Sequence, residues 1–128
     1  MTDKALKALK FRDSDPLQDY YFDGEDSYSV ARLIDEARDL QPFDLPIMGM
    51  DLSYQIWQGC NIFALAYHVK RVFDADLSKP IILDWNGSVA DGRHRLIKAL
   101  VAGKKTIKAV RITWRMTPDK TGQKPNEN

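Results

Sequence analysis

The stretch from Pro80 to Trp114 constrains the fold more than any other part of this 128-residue chain. Pro80-Ile81-Ile82-Leu83-Asp84 reads as a short buried strand, and Asn86-Gly87 is a tight hairpin signal. Val89-Ala90 leads into Asp91-Gly92-Arg93-His94-Arg95, and Leu96 to Ala102 continues as a helix with one apolar face. Gly103 stands where a left-handed C-cap is expected, and Lys104-Lys105 make a short exposed turn. Thr106 to Trp114 then alternates apolar and polar residues, as a half-buried strand does. Strand, hairpin, helix and returning strand in such close succession predict a small mixed β-sheet with packed helices, an α+β fold. The polar cluster falls on the first turn of a helix. There, unpaired backbone N–H groups and the positive end of the helix dipole favour an anion.

The remaining sequence supplies further elements. Asp26 or Ser27 is placed to cap a helix over Tyr28 to Leu40, whose Val30, Leu33, Ile34 and Ala37 share one face, and Gln41-Pro42 ends it. Phe43 to Met48 contains Pro46 and reads as an edge strand or extended loop. Tyr54, Ile56 and Trp57 are expected to be buried. Ile62, Leu65, Ala66, Val69, Val72 and Phe73 trace a helical stripe from Asn61 to Asp74, expected to face the core. Residues 1–26 lack a clear period and are predicted to be poorly structured, apart from a short helix around Ala5, Leu6 and Leu9. The sequence thus divides into that segment, a domain over 27–115, and a disordered tail over 116–128.

The length suits one domain with a single core. Apolar runs are too short to span a bilayer, and the N-terminus carries no signal-peptide-like apolar run, so the expectation is a cytoplasmic protein without a membrane role. Cys60 is the only cysteine, which excludes an internal disulfide and a cysteine-based zinc site. The net charge of +1 conceals a strong asymmetry. Residues 1–60 carry six basic and twelve acidic side chains, and residues 61–128 carry thirteen basic and six acidic ones. No acid occurs from Gly92 to Pro118. Such a distribution points to an anionic partner, to neutralisation of one half by the other, or to head-to-tail association in a homo-oligomer.

The segment from Pro80 to Ile112 resembles the ParB/sulfiredoxin-like superfamily, whose members carry strand, hairpin, D-G-x-H-R, helix, glycine and strand in this order. The resemblance implies that Gly92, Arg93, His94 and Arg95 bind nucleotide phosphates, with ATP or another nucleoside triphosphate and Mg²⁺ as cofactors. Its members include nucleotide-dependent partition clamps, enzymes that repair oxidised peroxiredoxin, small-molecule kinases and nuclease-like proteins, so fold alone does not assign a reaction. Sulfiredoxins carry a cysteine where this chain has Arg93. Partition proteins carry G-E-R-R in place of Gly92-Arg93-His94-Arg95 and add a helix-turn-helix region, which is not expected after Trp114. The D-G-H-H-R of free-serine-kinase-like members is nearer, with Arg93 replacing the first histidine.

Local physics gives each residue a plainer alternative. Gly92 permits a tight turn, Asp91 can cap the helix or hold Mg²⁺, and His94 can bond a phosphate, shuttle a proton or satisfy a carbonyl. Arg93 and Arg95 oppose the helix dipole unless an anion faces them or a salt bridge to the acidic half engages them. Catalytic candidates are Asp91, His94 and Asp51, with Asp44 and Asp84 as further carboxylates. His68 reads as a surface or interface histidine, Cys60 as a small buried residue, and Trp57, Trp85 and Trp114 as packing residues, with Trp85 the most exposed. The expected function is nucleotide or other phosphate binding, extending to phosphotransfer or nucleoside triphosphate hydrolysis. The alternatives are a nucleic-acid-associated module, nuclease-like or accessory, contacting backbone phosphates through Lys98, Lys104, Lys105, Lys108 and Arg111, or a non-catalytic interaction protein.

Overall fold

The computed structural model describes residues 19–57 and 59–122. The chain folds as a small α+β domain. Its strands are β1 (Tyr20–Asp23), β2 (Asp26–Ser29), β3 (Phe43–Pro46), β4 (Ile81–Leu83), β5 (Val89–Asp91) and β6 (Thr106–Arg111). Its helices are α1 (Val30–Ala37), α2 (Ile62–Asp74) and α3 (Arg93–Val101), with a 3₁₀ turn at Ile47–Gly49.

The main sheet has the order β3-β6-β4-β5 and is mixed. β4 runs parallel to β6, while β3 with β6 and β4 with β5 are antiparallel. The β4–β5 hairpin closes at Asn86-Gly87, where Gly87 takes a φ of +82°. The side chain of Asp84 organises this turn by accepting the backbone N–H groups of Asn86 and Ser88, both at 2.9 Å.

Alternation along the strands gives the sheet two apolar faces. Ile81, Leu83, Val89, Ile107 and Ala109 pack with Ile47 and with Leu96 and Ala99 of α3. Ile82, Ala90, Val110 and Ile112 pack on the opposite side with Leu33 and Ala37 of α1, Tyr21, Tyr28 and Met116. Helices α2 and α3 contact one another, and no residue of α2 is buried.

Several expectations change here. Tyr20 to Ser29, assigned in large part to a poorly structured segment, forms the β1–β2 hairpin. The turn around Asp23-Gly24, with Gly24 at φ +63°, and the alternating aromatics Tyr21 and Tyr28 explain it physically. The expected short helix around Ala5 lies outside the described residues. α1 starts at Val30 and not Tyr28, and its N-cap Ser29 makes no side-chain capping bond. Its backbone N–H is instead accepted by Asp119 Oδ2 at 2.8 Å. That residue belongs to the supposedly disordered tail, of which 116–122 is described. Met116 is buried, Asp119 also pairs with Arg32 at 3.1 Å, and Ser27 bridges to Lys120. β3 is the expected edge strand. Tyr54 and Cys60 are exposed, contrary to expectation, because the loop before α2 lies on the surface.

Candidate functional site

The hairpin delivers Asp91 to the end of β5, and Gly92 turns the chain into α3. Gly92 has φ +103° and ψ 22°, a conformation that side chains disfavour. Its Cα also lies against β4: a Cβ there would stand 2.7 Å from Ile81 Cγ2 and 3.1 Å from Ile81 Cα. Both constraints require glycine, so Gly92 is explained by structure without appeal to a ligand. Gly92 as N-cap has no side chain with which to cap the helix, and among the described residues no hydrogen bond joins the Asp91 carboxylate to this turn. Asp91 therefore does not serve as the expected cap. Its Oδ2 lies 3.8 Å from Arg95 Nη2. The first bond back into α3 is from Leu96 N–H to the Gly92 carbonyl at 3.0 Å. Arg93, His94 and Arg95 precede it, so their N–H groups have no acceptor one helical turn back.

The side chains of this turn meet α2. His94 Nε2 and His68 Nδ1 are 2.9 Å apart, with ring centroids 5.1 Å apart and planes inclined by 23°. This places the rings edge to edge, sharing one N–H···N hydrogen bond. Trp57 lies flat on His68, centroids 3.6 Å apart and planes 6° apart, and 5.3 Å from His94. Tyr67 meets His68 edge-on at 5.2 Å. Burial, then the positive charges of Arg71, His68, Arg93 and Arg95, push the His94 imidazole down to about 3. Burial, and next Arg71, lower His68 as well. The pair is accordingly neutral near pH 7. In either tautomeric arrangement one outward nitrogen is a donor and the other a lone pair, and an anion beside His94 selects the form with Nδ1–H outward.

Three guanidinium groups, Arg71, Arg93 and Arg95, act on His94, with the Asp91 carboxylate beside Arg95. That setting is hostile to a divalent metal ion and favourable to an anion. Among the described residues no group of three or more His, Cys, Asp or Glu side chains comes together to hold a metal. The donor set fits a phosphate group or another oxyanion. Mg²⁺ would have to be carried largely by a ligand's own phosphates and water, with Asp91 the nearby protein carboxylate. Arg93 is half-buried and, among the described residues, its Nε has no hydrogen-bond partner. Arg95 is partly committed to structure, donating from Nη1 to the Pro80 carbonyl at 2.7 Å.

The other expected residues are placed as follows. Asp84 is fully buried, accepts Tyr21 Oη–H at 2.8 Å and holds the hairpin, so it is a structural carboxylate and not a base at a strand edge. Asp51 is exposed and bonded to Ser53, which lowers its pKa, and no bond joins it to the histidine pair. Asp44 faces Lys108 across the β3–β6 register. Lys98 donates to the carbonyls of Phe73 and Ala75 at 2.9 and 2.7 Å, closing the end of α2, which removes it from the expected nucleic-acid contacts. Arg111 donates to the Trp85 carbonyl at 2.8 Å. Lys104 and Lys105 are exposed. Trp85, expected to be the most exposed tryptophan, is half-buried against Tyr28 with ring centroids 5.0 Å apart, whereas Trp114 is exposed.

Sequence reasoning missed Arg71 and Trp57 as site residues and took His68, a surface or interface histidine by that reading, to have no part in the site. A signal was available: on α2, His68 and Arg71 are three residues apart on the side opposite the apolar stripe. Compared with known proteins, the chain matches no family model, no curated protein and no solved structure.

Proposed function

We propose that this chain binds a nucleotide or a similar phosphorylated small molecule through its phosphate groups at the start of α3. The observation that carries this reading is the uncapped first turn of α3 beside a neutral histidine pair, with Arg71, Arg93 and Arg95 around it. Backbone N–H groups, the helix dipole and guanidinium forks are complementary to phosphate oxygens and stronger together than any one alone. The resemblance of Pro80 to Ile112 to the ParB/sulfiredoxin-like superfamily supports the same assignment. Binding is the function assigned. Phosphoryl transfer would further require a carboxylate acting as base, for which Asp91 is the nearest candidate.

Isothermal titration with ATP, CTP and GTP, each with and without Mg²⁺, tests the reading. At least one should bind, and Arg93→Ala should weaken that binding at least tenfold while leaving the unfolding curve close to wild type. A folded protein that binds none of the three, or an Arg93→Ala variant that binds as wild type, refutes it. ADP formation, assayed separately and compared with Asp91→Asn, decides whether hydrolysis accompanies binding.

A further inference from the structure

Helix α2 is amphipathic in the reverse of the usual sense. At 100° per residue, Ala64, His68, Arg71 and Val72 fall on one side and Ile62, Leu65, Ala66, Val69 and Phe73 on the other. The side carrying His68 and Arg71 is turned towards α3, as the His68–His94 bond requires. The apolar side is turned out. Ile62 is 89% exposed, Leu65 52%, Phe73 48% and Val69 41%. A stripe of this kind normally marks the buried face of a helix.

We propose that this face is the contact between two copies of the chain, joined through antiparallel α2 helices about a two-fold axis. The stripe is self-complementary. With the axis between Tyr67 and His68 in sequence, Ile62 of one copy meets Phe73 of the other and Ala66 meets Val69. Small side chains thus lie at the crossing, where helices approach most closely, and large ones lie on either side. Charge also permits a copy to meet itself. Lys70 and Asp74, which border the stripe, neutralise each other in an ion pair of 2.7 Å. The face therefore offers no net charge to attract an acidic or basic partner and no like-charge repulsion between copies. Antiparallel helices also set opposite dipole ends side by side. The four exposed side chains of the stripe present on the order of 500 Å² per copy, so a pair buries about 1,000 Å², the lower bound for a specific interface. An interface of that size places the dimer among weak, concentration-dependent assemblies. This proposal does not depend on what the α3 site binds.

Sedimentation velocity of the full chain from 1 to about 300 µM is the test, in 0.1 M and in 1 M NaCl. A chain of 14.7 kDa should pass from monomer towards twice that mass, at both salt concentrations alike. Val69→Glu should raise the dissociation constant at least tenfold with an unchanged unfolding curve. Met48→Glu, at an 89% exposed methionine off the α2 stripe, should leave dimerisation unchanged. A monomer at every concentration leaves the face to some other chain or segment and overturns the proposal. A dimer that dissolves in 1 M NaCl overturns it in favour of head-to-tail charge pairing. A dimer that survives Val69→Glu places the contact elsewhere and overturns it too.

Discussion

Replacing Gly92 by alanine tests how the α3 start is built. Two costs are separable. A side chain at φ +103° pays about 1–2 kcal/mol in backbone strain. A methyl group 2.7 Å from Ile81 Cγ2 and 3.1 Å from Ile81 Cα must displace β4 or the helix start, an overpacking cost of about 1–3 kcal/mol. The lower entropy of the unfolded alanine chain returns roughly 0.4–1 kcal/mol. The net loss is about 2–4 kcal/mol, read as the shift in urea midpoint at constant m-value. Gly103→Ala is the internal control: its φ is +73°, but nothing lies within 4 Å of the added methyl. It should cost only the strain less the entropy, about 1 kcal/mol or below. The difference between the two variants isolates the contact with Ile81. Equal midpoints for both variants would refute the claim that α3 is seated directly on β4 through Gly92.

Acidification should destabilise the protein through His94, whose pKa is depressed on folding. Between about pH 6.5 and 3 the unfolded chain binds the proton that folded His94 refuses, so stability falls as pH falls through that window. His94→Gln should flatten the dependence between pH 6.5 and 5, as measured by urea midpoints at each pH. A bound phosphate stabilises the protonated pair, so titrations in buffers of different ionisation enthalpy should report net proton uptake at pH 6. Tyr21→Phe leaves the buried Asp84 carboxylate one donor short and should cost about 1–3 kcal/mol in chemical denaturation. Lys98→Met frees the Phe73 and Ala75 carbonyls and should lower stability by about 1 kcal/mol, with no change in nucleotide titrations.

The run from Pro80 to Arg111 was legible because its signals are local: alternation, an Asn-Gly turn, a glycine at each end of a helix. The mixed sheet followed from the same signals, and the edge position of β3, one of two readings of its segment, from Pro46. What escaped depends on distance in three dimensions. Asp84 looked like a free carboxylate because its partner Tyr21 lies in a segment read as unstructured. Asp91 looked like a cap because cap chemistry is written in sequence, but Gly92's turn carries its carboxylate to Arg95. The α2 stripe was correctly periodic and wrongly oriented, since period identifies a face without saying which way it points. His68 followed the same error. Once α2 is rotated by half a turn, a supposed surface histidine becomes half of a hydrogen-bonded pair.

The link between Ser27 and Lys120 bears on how the protein is made. The N–H and C=O groups of Ser27 in β2 pair with residues 119 and 120, and Met116 packs in the core with Tyr21 and Tyr28. During vectorial synthesis the hairpin leaves the ribosome and waits, with Tyr21 and Tyr28 not yet covered by Met116, until about ninety further residues have been added. The β4–β6 half can form from its own neighbours in the chain, whereas the hairpin and α1 can be sealed only after residue 120 is released. Sealing of this layer therefore waits on residues 116–120, and a nascent chain stalled short of Met116 should present an open tyrosine surface to a chaperone.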